Sequence, residues 1–355
     1  MKALQFLQPE QRLEVHDVPW PTVSAPHDVI VRVAFAGVCG TDLHALSGHY
    51  PMSPEWTTMG HELSGLVAEV GGAVSSVAVG DRVSVNPNRG CGVCRACKLG
   101  NIHFCGTQSI ADCLGFYRPG GWAEAVLVHE ADVHRLPAGV PLSSAALCEP
   151  ISCLLHAFDL FEPLPAHGRV VVLGAGIIGL LTACLLHHRG ITDVTISEPG
   201  PARRRFVDGL QLGYRAAAPA ELAAEFAALS DDQVASNGAD VVIDCSGFCP
   251  AIEQAAGWLR RGGALCLFGV APPEGRVSLS PYLLVTRELS VRGAVINPHT
   301  FPRAAAMAAA LGARYLDLPR LGVELFKLEQ YQEAMDKLKK GEISKVMFAV
   351  NDTIE

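Results

Sequence analysis

Several features that would place the chain in a membrane, on a nucleic acid or outside the cell are scarce in its sequence. No apolar run reaches the length that a membrane span needs. Lys and Arg total 28 against 36 Asp and Glu, and without a long basic run the formal charge of -8 disfavours binding to nucleic acid. Residues 1–18 mix Gln, Glu and Arg into the apolar positions, unlike a signal peptide. We therefore expect a cytoplasmic protein with neither a membrane nor a nucleic acid partner.

The sequence also lacks internal repeats of about 20–50 residues, which excludes a solenoid or propeller. Its 355 residues are 49% hydrophobic, enough for large cores in about two domains. A fold of this size does not depend on disulfides, and in a reducing compartment its 12 cysteines stay reduced or bind metal.

Four of the cysteines lie in one short segment, CGVCRACKLGNIHFC, whose glycines favour a loop. They are Cys91, Cys94, Cys97 and Cys105. Short C-x-x-C turns let thiolates converge on one tetrahedral ion, so the spacing predicts a zinc site. Four unrelated buried thiols, or a redox pair, are the alternatives. Because four sulfurs close the coordination shell, this zinc would be structural and leave no position for a substrate.

A different ligand set lies upstream, in GVCGTDLH at 37–44 and MGHELSG at 59–65. Cys39, His61 and Glu62 are a thiol, an imidazole and a carboxylate, and a catalytic zinc takes three protein ligands and an open position. We predict this second zinc site, with Glu62 also close to the reacting groups. The pair His61 and Glu62 could equally begin a helix without binding metal.

Two further residues near Cys39 suggest how a proton could leave such a site. An alcohol near Zn²⁺ ionises more easily than in water, and its proton must reach solvent. The hydroxyl of Thr41 and the imidazole of His44 form a plausible relay, so both are predicted catalytic residues. Alternatively, Thr41 and Asp42 cap a helix that begins near Leu43.

The segment from residue 170 reads VVVLGAGIIGLLTACLLHH, a buried strand, a glycine loop and an apolar helix. Gly174 makes the tight turn, Gly176 admits a pyrophosphate, and Gly179 packs the helix on the strand. Ile177 and Ile178 follow at the start of the helix, whose amides and dipole favour phosphate. This segment predicts a dinucleotide-binding Rossmann motif.

A second strand, DVTIS, ends at Glu198, where a carboxylate is expected to hold the adenosine ribose. The same charge repels a 2′-phosphate, which favours NAD⁺ over NADP⁺. Arg203 and the next two arginines count against this preference, unless they form a solvated helix face. Residues 239–247 and 264–270 are further apolar strands with a helical segment between them, which predicts an α/β fold with a doubly wound parallel sheet.

These motifs together resemble the zinc-containing medium-chain dehydrogenase/reductase family. The resemblance rests on GHE at 60–62, GVCGTDLH at 37–44, C-x₂-C-x₂-C-x₇-C and GAGIIG at 174–179, and extends to GDRV and ISKVMFAV. It implies a GroES-like β-rich catalytic domain made of residues 1–153 and 293–355. A Rossmann NAD-binding domain of residues 154–292 would be inserted between them, in a homotetramer or homodimer.

The resemblance also implies a further site residue and a class of substrate. Glu149, in LCEP, matches the carboxylate of the polyol and threonine dehydrogenase branch, where it binds zinc or holds its water; Cys148 is a rival. The branch implies oxidation of a secondary alcohol of a polyol by NAD⁺. Ile296 and Asn297 stand where sorbitol dehydrogenases carry an Arg-Tyr pair that grips the polyol.

Other substrates and another class of protein stay open. L-Threonine 3-dehydrogenase and butanediol dehydrogenase use the same kind of site, and a catalytically silent zinc and nucleotide sensor is the alternative outside enzymes. Tyr50 and Phe116 are candidates to line the substrate pocket.

Overall fold

The computed structural model of the chain describes residues 1–49, 51–53, 55–161, 164, 167–351, 353 and 354. The strands are β1 (Lys2–Leu7), β2 (Arg12–Asp17), β3 (Asp28–Gly37), β4 (Thr57–Thr58), β5 (Glu62–Val70), β6 (Arg82–Val85), β7 (Ala125–His129), β8 (Val133–Arg135), β9 (Val170–Leu173), β10 (Val194–Ser197), β11 (Arg215–Ala217), β12 (Ala239–Asp244), β13 (Leu259–Leu267), β14 (Ser290–Gly293), β15 (Val323–Phe326) and β16 (Lys345–Ala349).

Helices cover the strands and connect them. They are α1 (Gly40–Leu46), α2 (Arg95–Lys98), α3 (Leu142–Ala145), α4 (Cys148–Phe161), α5 (Ile177–His188), α6 (Pro201–Gly209), α7 (Pro219–Ala227), α8 (Asp231–Asn237), α9 (Cys249–Ala256), α10 (Pro281–Thr286), α11 (Phe301–Tyr315) and α12 (Tyr331–Lys340). Across the described ranges, no helix combines the length and the apolar composition that crossing a bilayer requires.

One sheet is parallel throughout, in the order β11-β10-β9-β12-β13-β14. The chain moves outward from β9 to β11 and then returns to β12 on the other side of β9. This reversal confirms the doubly wound topology and creates a crevice at the carboxyl ends of β9 and β12, where such folds bind ligands. Residues 260–263 lie between 247 and 264, in the part expected to be helical, but they belong to β13, since α9 ends at Ala256.

A second sheet is largely antiparallel, in the order β15-β16-β3-β5-β6-β8 with β7 also paired to β3. Strand β16 joins it from the far end of the sequence, with Met347 opposite Gly37 in β3. Both ends of the chain therefore build the β-rich part, and β1, β2 and β4 form a small sheet beside it. The exact boundaries at 153 and 292 stay a prediction, and α4 continues past residue 153 without a break.

Candidate metal centres and nucleotide site

The β3-β5 ladder brings Cys39 next to His61 and Glu62. Gly37 at the end of β3 lies opposite Glu62 at the start of β5, so the residues just beyond these two strand ends meet. One ligand atom from each of Cys39, His61 and Glu62 lies within 4.8 Å of the others. The pair His61 and Glu62 thus precedes and begins a strand and does not start a helix.

Helix α1 fixes Cys39 at its amino-terminal end. The helix begins at Gly40, earlier than the start expected near Leu43, and Asp42 Oδ2 accepts a hydrogen bond of 2.7 Å from the Cys39 amide. Asp42 is therefore the capping residue. Thr41 Oγ1 lies 3.6 Å from Cys39 Sγ, and His44 follows three residues later on the same helical face.

His61 is held in one orientation by a buried acid. Its Nδ1 lies 3.3 Å from Asp42 Oδ1, which leaves Nε2 as the ligand atom, an arrangement common for metal-binding histidines. Burial lowers the pKa of His61, but the charges of Asp42 and Cys39 outweigh it and raise the pKa well above its ordinary value. The Phe116 ring packs 5.1 Å from the His61 ring. Tyr50, the other pocket candidate, lies outside the described residues.

Glu62 forms a buried ion pair with Lys345 of β16. The side chains are each 1% exposed, and Lys345 Nζ also donates to the Val38 carbonyl oxygen at 3.0 Å. Burial lowers the pKa of Lys345, but the charges of Glu62, Cys39 and Asp42 and the hydrogen bond to Glu62 together raise it above its ordinary value. Gly37 is required beside this pair, because a Cβ there would lie 2.1 Å from Glu62 Oε2. Sequence reasoning missed Lys345. The one local sign of its role is its position as the first residue of the apolar strand KVMFA, where a buried lysine needs an anionic partner.

Glu149 lies in the first turn of α4 and is 7% exposed. It stands outside the trio of Cys39, His61 and Glu62. Burial raises the pKa of Glu149 to about 7, with His61 opposing and Glu62 reinforcing the shift. Cys148, the rival to Glu149, is fully buried in the large apolar core that surrounds α4 and α5.

The donors at this first centre fit Zn²⁺. A thiol, an imidazole nitrogen and a carboxylate within 4.8 Å form the mixed set that a catalytic zinc prefers. Three buried carboxylates, Asp42, Glu62 and Glu149, lie around these donors, and Lys345 is paired with one of them. A divalent cation stabilises such a group of buried carboxylates. Glu149 lies outside this trio and interacts with His61 and Glu62 through its charge.

The four cysteines of the loop at 91–105 also converge. The Sγ atoms of Cys91 and Cys97 are 3.9 Å apart, as are those of Cys94 and Cys105. A tetrahedron with Zn–S bonds of about 2.3 Å has edges of about 3.8 Å, whereas a disulfide needs about 2.05 Å. The hydroxyl of Thr107 and nearby backbone amides lower the pKa of Cys105 to about 5. The geometry therefore fits a closed structural zinc site.

The glycine loop between β9 and α5 has the conformation of a phosphate cradle. Gly174 adopts a φ of 98°, which favours glycine. A Cβ on Gly179 would lie 1.9 Å from the Gly174 carbonyl oxygen, so this glycine is required by packing. A Cβ on Gly176 would meet no atom within 4 Å. The open space there suits a pyrophosphate, and Ile177 and Ile178 present free helix amides to it.

Glu198 lies at the carboxyl end of β10, against this loop. Its Oε2 accepts from the Ala175 amide at 2.8 Å and its Oε1 from the Gly200 amide at 2.7 Å. Arg204 donates to the carbonyl oxygen of Glu198 itself at 2.7 Å. Arg203 packs instead near Gly341 at the end of α12, where its buried Nε has no hydrogen-bond partner within the described part of the chain.

Asn297 has a structural role in the fold. It is 1% exposed, and its Nδ2 donates to Asn86 Oδ1 at 3.0 Å and to Ser152 Oγ at 2.8 Å. It therefore connects three separate segments. An Nδ2 group committed in this way is not available to donate to a substrate hydroxyl.

A cavity of about 610 Å³ opens at the other end of the parallel sheet. Arg169, Arg215 and Arg260 line it near the amino ends of the strands. Arg215 pairs with Glu225, and Arg260 with Asp240. The cavity is remote from the glycine loop and from the carboxyl ends of the strands, so it is not part of the nucleotide site.

The two centres and the doubly wound sheet define a zinc-dependent dehydrogenase, and comparison with known proteins agrees. Residues 25–138 match the alcohol dehydrogenase GroES-like domain, and residues 178–310 match the zinc-binding dehydrogenase domain. The chain belongs to the zinc-containing medium-chain dehydrogenase/reductase family.

Individual relatives cover nearly the whole chain. A sorbitol dehydrogenase of Halalkalibacterium halodurans is 31% identical over 95% of this chain and 96% of its own. An L-threonine 3-dehydrogenase of Rhizobium etli is 30% identical over 98% of both chains. A crystal structure from Sinorhizobium meliloti, described as a zinc-binding dehydrogenase bound to NADP, has a TM-score of 0.84 at 32% identity over 98% of both chains.

Proposed function

We propose that the protein oxidises a secondary hydroxyl of a polyol to a ketone, with NAD⁺ as the oxidant. The observation that carries this proposal is the cluster of Cys39, His61 and Glu62, which lies on the β-rich part of a chain that also contains a glycine loop. When bound, Zn²⁺ supplies a Lewis acid that eases ionisation of the hydroxyl, and the nicotinamide supplies the hydride acceptor.

Each residue of the cluster has a defined task. Cys39, His61 and Glu62 would hold the catalytic zinc, with Glu149 as a further carboxylate. Asp42 fixes the His61 ring, and Lys345 fixes the Glu62 carboxylate. The loop cysteines Cys91, Cys94, Cys97 and Cys105 would hold the structural zinc.

Thr41 and His44 would carry the proton away. The Thr41 hydroxyl is 3.6 Å from Cys39 Sγ, close enough to meet a hydroxyl bound at the cluster. His44 lies on the same face of α1 and is partly exposed, so it can exchange a proton with solvent. Replacing Thr41 by Val or His44 by Ala should lower kcat without loss of zinc. Unchanged kcat in both variants would contradict the relay.

The preference for NAD⁺ is supported by Glu198. Its buried carboxylate faces the place where the second hydroxyl of the adenosine ribose is expected, and it would repel a 2′-phosphate. Arg204 is engaged by the carbonyls of Glu198 and Pro199 and does not neutralise this charge. We expect kcat/KM to be higher with NAD⁺, and Glu198→Gln to reduce that preference. A higher kcat/KM with NADP⁺ would contradict it.

A polyol is favoured over threonine because an amino acid substrate needs a cation to pair with its carboxylate. Lys345, the cation at the described cluster, is already paired with Glu62. Butanediol is uncharged and remains the second candidate. Initial rates for sugar alcohols, 2,3-butanediol and L-threonine at fixed NAD⁺ separate the three. A kcat/KM for threonine above every polyol would overturn this choice.

The proposed function includes a division of the chain into two domains and an association of several chains. Residues 1–153 and 293–355 would form the catalytic domain, residues 154–292 the nucleotide domain, and the reaction would take place between them. Association into a dimer or tetramer would be measured by sedimentation.

A further inference from the structure

Helix α4 places a second thiol beside the catalytic cluster. Cys153 lies one turn after Glu149, on the same face of the helix. Its Sγ donates to Glu149 Oε1 at 3.4 Å, and the two residues are 9% and 7% exposed. Cys153 is also close enough to feel the charges of Cys39 and Glu62. It therefore lies at the edge of the metal centre without belonging to the ligand trio.

The thiol is a hydrogen-bond donor at this position. A buried thiol whose neighbour is a carboxylate oxygen is placed to donate to that oxygen. Glu149 Oε1 is an acceptor, and Ser152 Oγ holds the main chain of the same glutamate through a bond of 2.6 Å to its carbonyl oxygen. The backbone and the side chain of Glu149 are thus each anchored by a neighbour within one helical turn.

We propose that Cys153 is a positioning residue of the catalytic centre, which holds one oxygen of Glu149 so that the carboxylate faces Cys39, His61 and Glu62 in a single orientation. This inference rests on the proposed metal centre. Cys153 itself contacts neither metal nor substrate in this role. Without this donor, the Glu149 side chain would adopt other rotamers. Its carboxylate would then face Cys39, His61 and Glu62 for only part of the time.

The test compares three replacements of Cys153 in the zinc-loaded protein. Ala removes the donor, Val removes it while filling the space, and Ser restores a donor. Zinc release to a chromogenic chelator is followed with time, and Cys39→Ser identifies the phase that belongs to the catalytic ion. We expect Ala and Val to accelerate this phase by about fivefold, the loss of one modest hydrogen bond, and Ser to stay near the native rate.

A second readout is the cobalt-substituted protein, whose visible absorption reports the ligand geometry. The bands of the catalytic site should shift in the Ala and Val variants and return towards the native positions with Ser. Cys266→Val, a buried thiol of β13 in the nucleotide sheet, is the matched control and should change neither readout.

Three outcomes would overturn the inference: native release rates in both Ala and Val, a Ser variant that behaves like Ala, or an effect confined to the bulkier Val. Failure of the proposed metal centre looks different. In that case Cys39→Ser would retain both ions, and no catalytic phase would exist in any variant.

Discussion

Removing the buried cation beside Glu62 should be among the most damaging single changes in the β-rich part. Lys345→Met keeps the length and apolar stem of the side chain but leaves the Glu62 carboxylate, 1% exposed, without its partner. Breaking a buried ion pair from one side costs about 3–5 kcal/mol, because the remaining charge is uncompensated. We expect a loss of this size in urea unfolding after the catalytic zinc has been removed. With zinc bound, the ion compensates Glu62 and the loss should be smaller.

Lys337→Met is the matched control, because Lys337 also pairs with a glutamate. Its Nζ lies 2.6 Å from Glu324 Oε1, but these side chains are 30% and 41% exposed. A pair this accessible contributes about 0–1 kcal/mol. The double variant Glu62→Gln with Lys345→Met should recover part of the lost stability. If Lys345→Met costs no more than Lys337→Met, or if zinc removal does not enlarge its effect, the ion pair does not support the metal centre.

Three further predictions follow from the geometry. Cys39→Ser should reduce the zinc content by one ion per chain and abolish turnover, with the fold kept. Cys97→Ser should instead lower the thermal unfolding midpoint, because it removes one ligand of the structural zinc. An unchanged midpoint in Cys97→Ser would contradict this prediction. Gly179→Ala should impair folding of the nucleotide part, since its Cβ would lie 1.9 Å from a carbonyl oxygen, whereas Gly176→Ala should fold normally and raise the KM for NAD⁺. Burial lowers the pKa of His134, stacked 4.8 Å from Phe301, to about 4. As the pH falls, His134 therefore takes up its proton in the unfolded chain near pH 6.5, before it does so in the folded protein near pH 4. The free energy of unfolding should fall by up to about 3 kcal/mol over this range, and His134→Gln should remove that part of the pH dependence.

The features that the sequence revealed are those encoded by short spacings. Cys91 to Cys105 form a ligand loop within one local segment, and the glycine loop lies between its own strand and helix. The alternation of strands and helices after residue 170 predicted the parallel sheet, because each unit buries its apolar face against the next. Helix α1 was placed late, since an Asp three residues inside a helix can cap it as well as one at its start.

The features that stayed hidden depend on long-range pairing. Nothing near Lys345 in the sequence points to Glu62, and only the β16-β3-β5 order brings them together. Asn297 was noted only as a departure from the Arg-Tyr pair of the sorbitol dehydrogenases, and the use of its amide by Asn86 and Ser152 was not foreseen. Cys153 was not singled out, because its role depends on where the neighbouring glutamate points.

The sheet order also explains why the candidate catalytic centre draws residues from both ends of the chain. Strand β3 is central, with β5 on one side supplying Glu62 and β16 on the other supplying Lys345. The two charged side chains meet across Gly37, where even one methyl group would collide with Glu62 Oε2. Gly37→Ala should therefore separate the ion pair without changing either charge. It should lower the stability of the zinc-free protein as Lys345→Met does, and a Gly37→Ala variant with native stability in urea unfolding would show that the close approach of β3 does not hold this ion pair together.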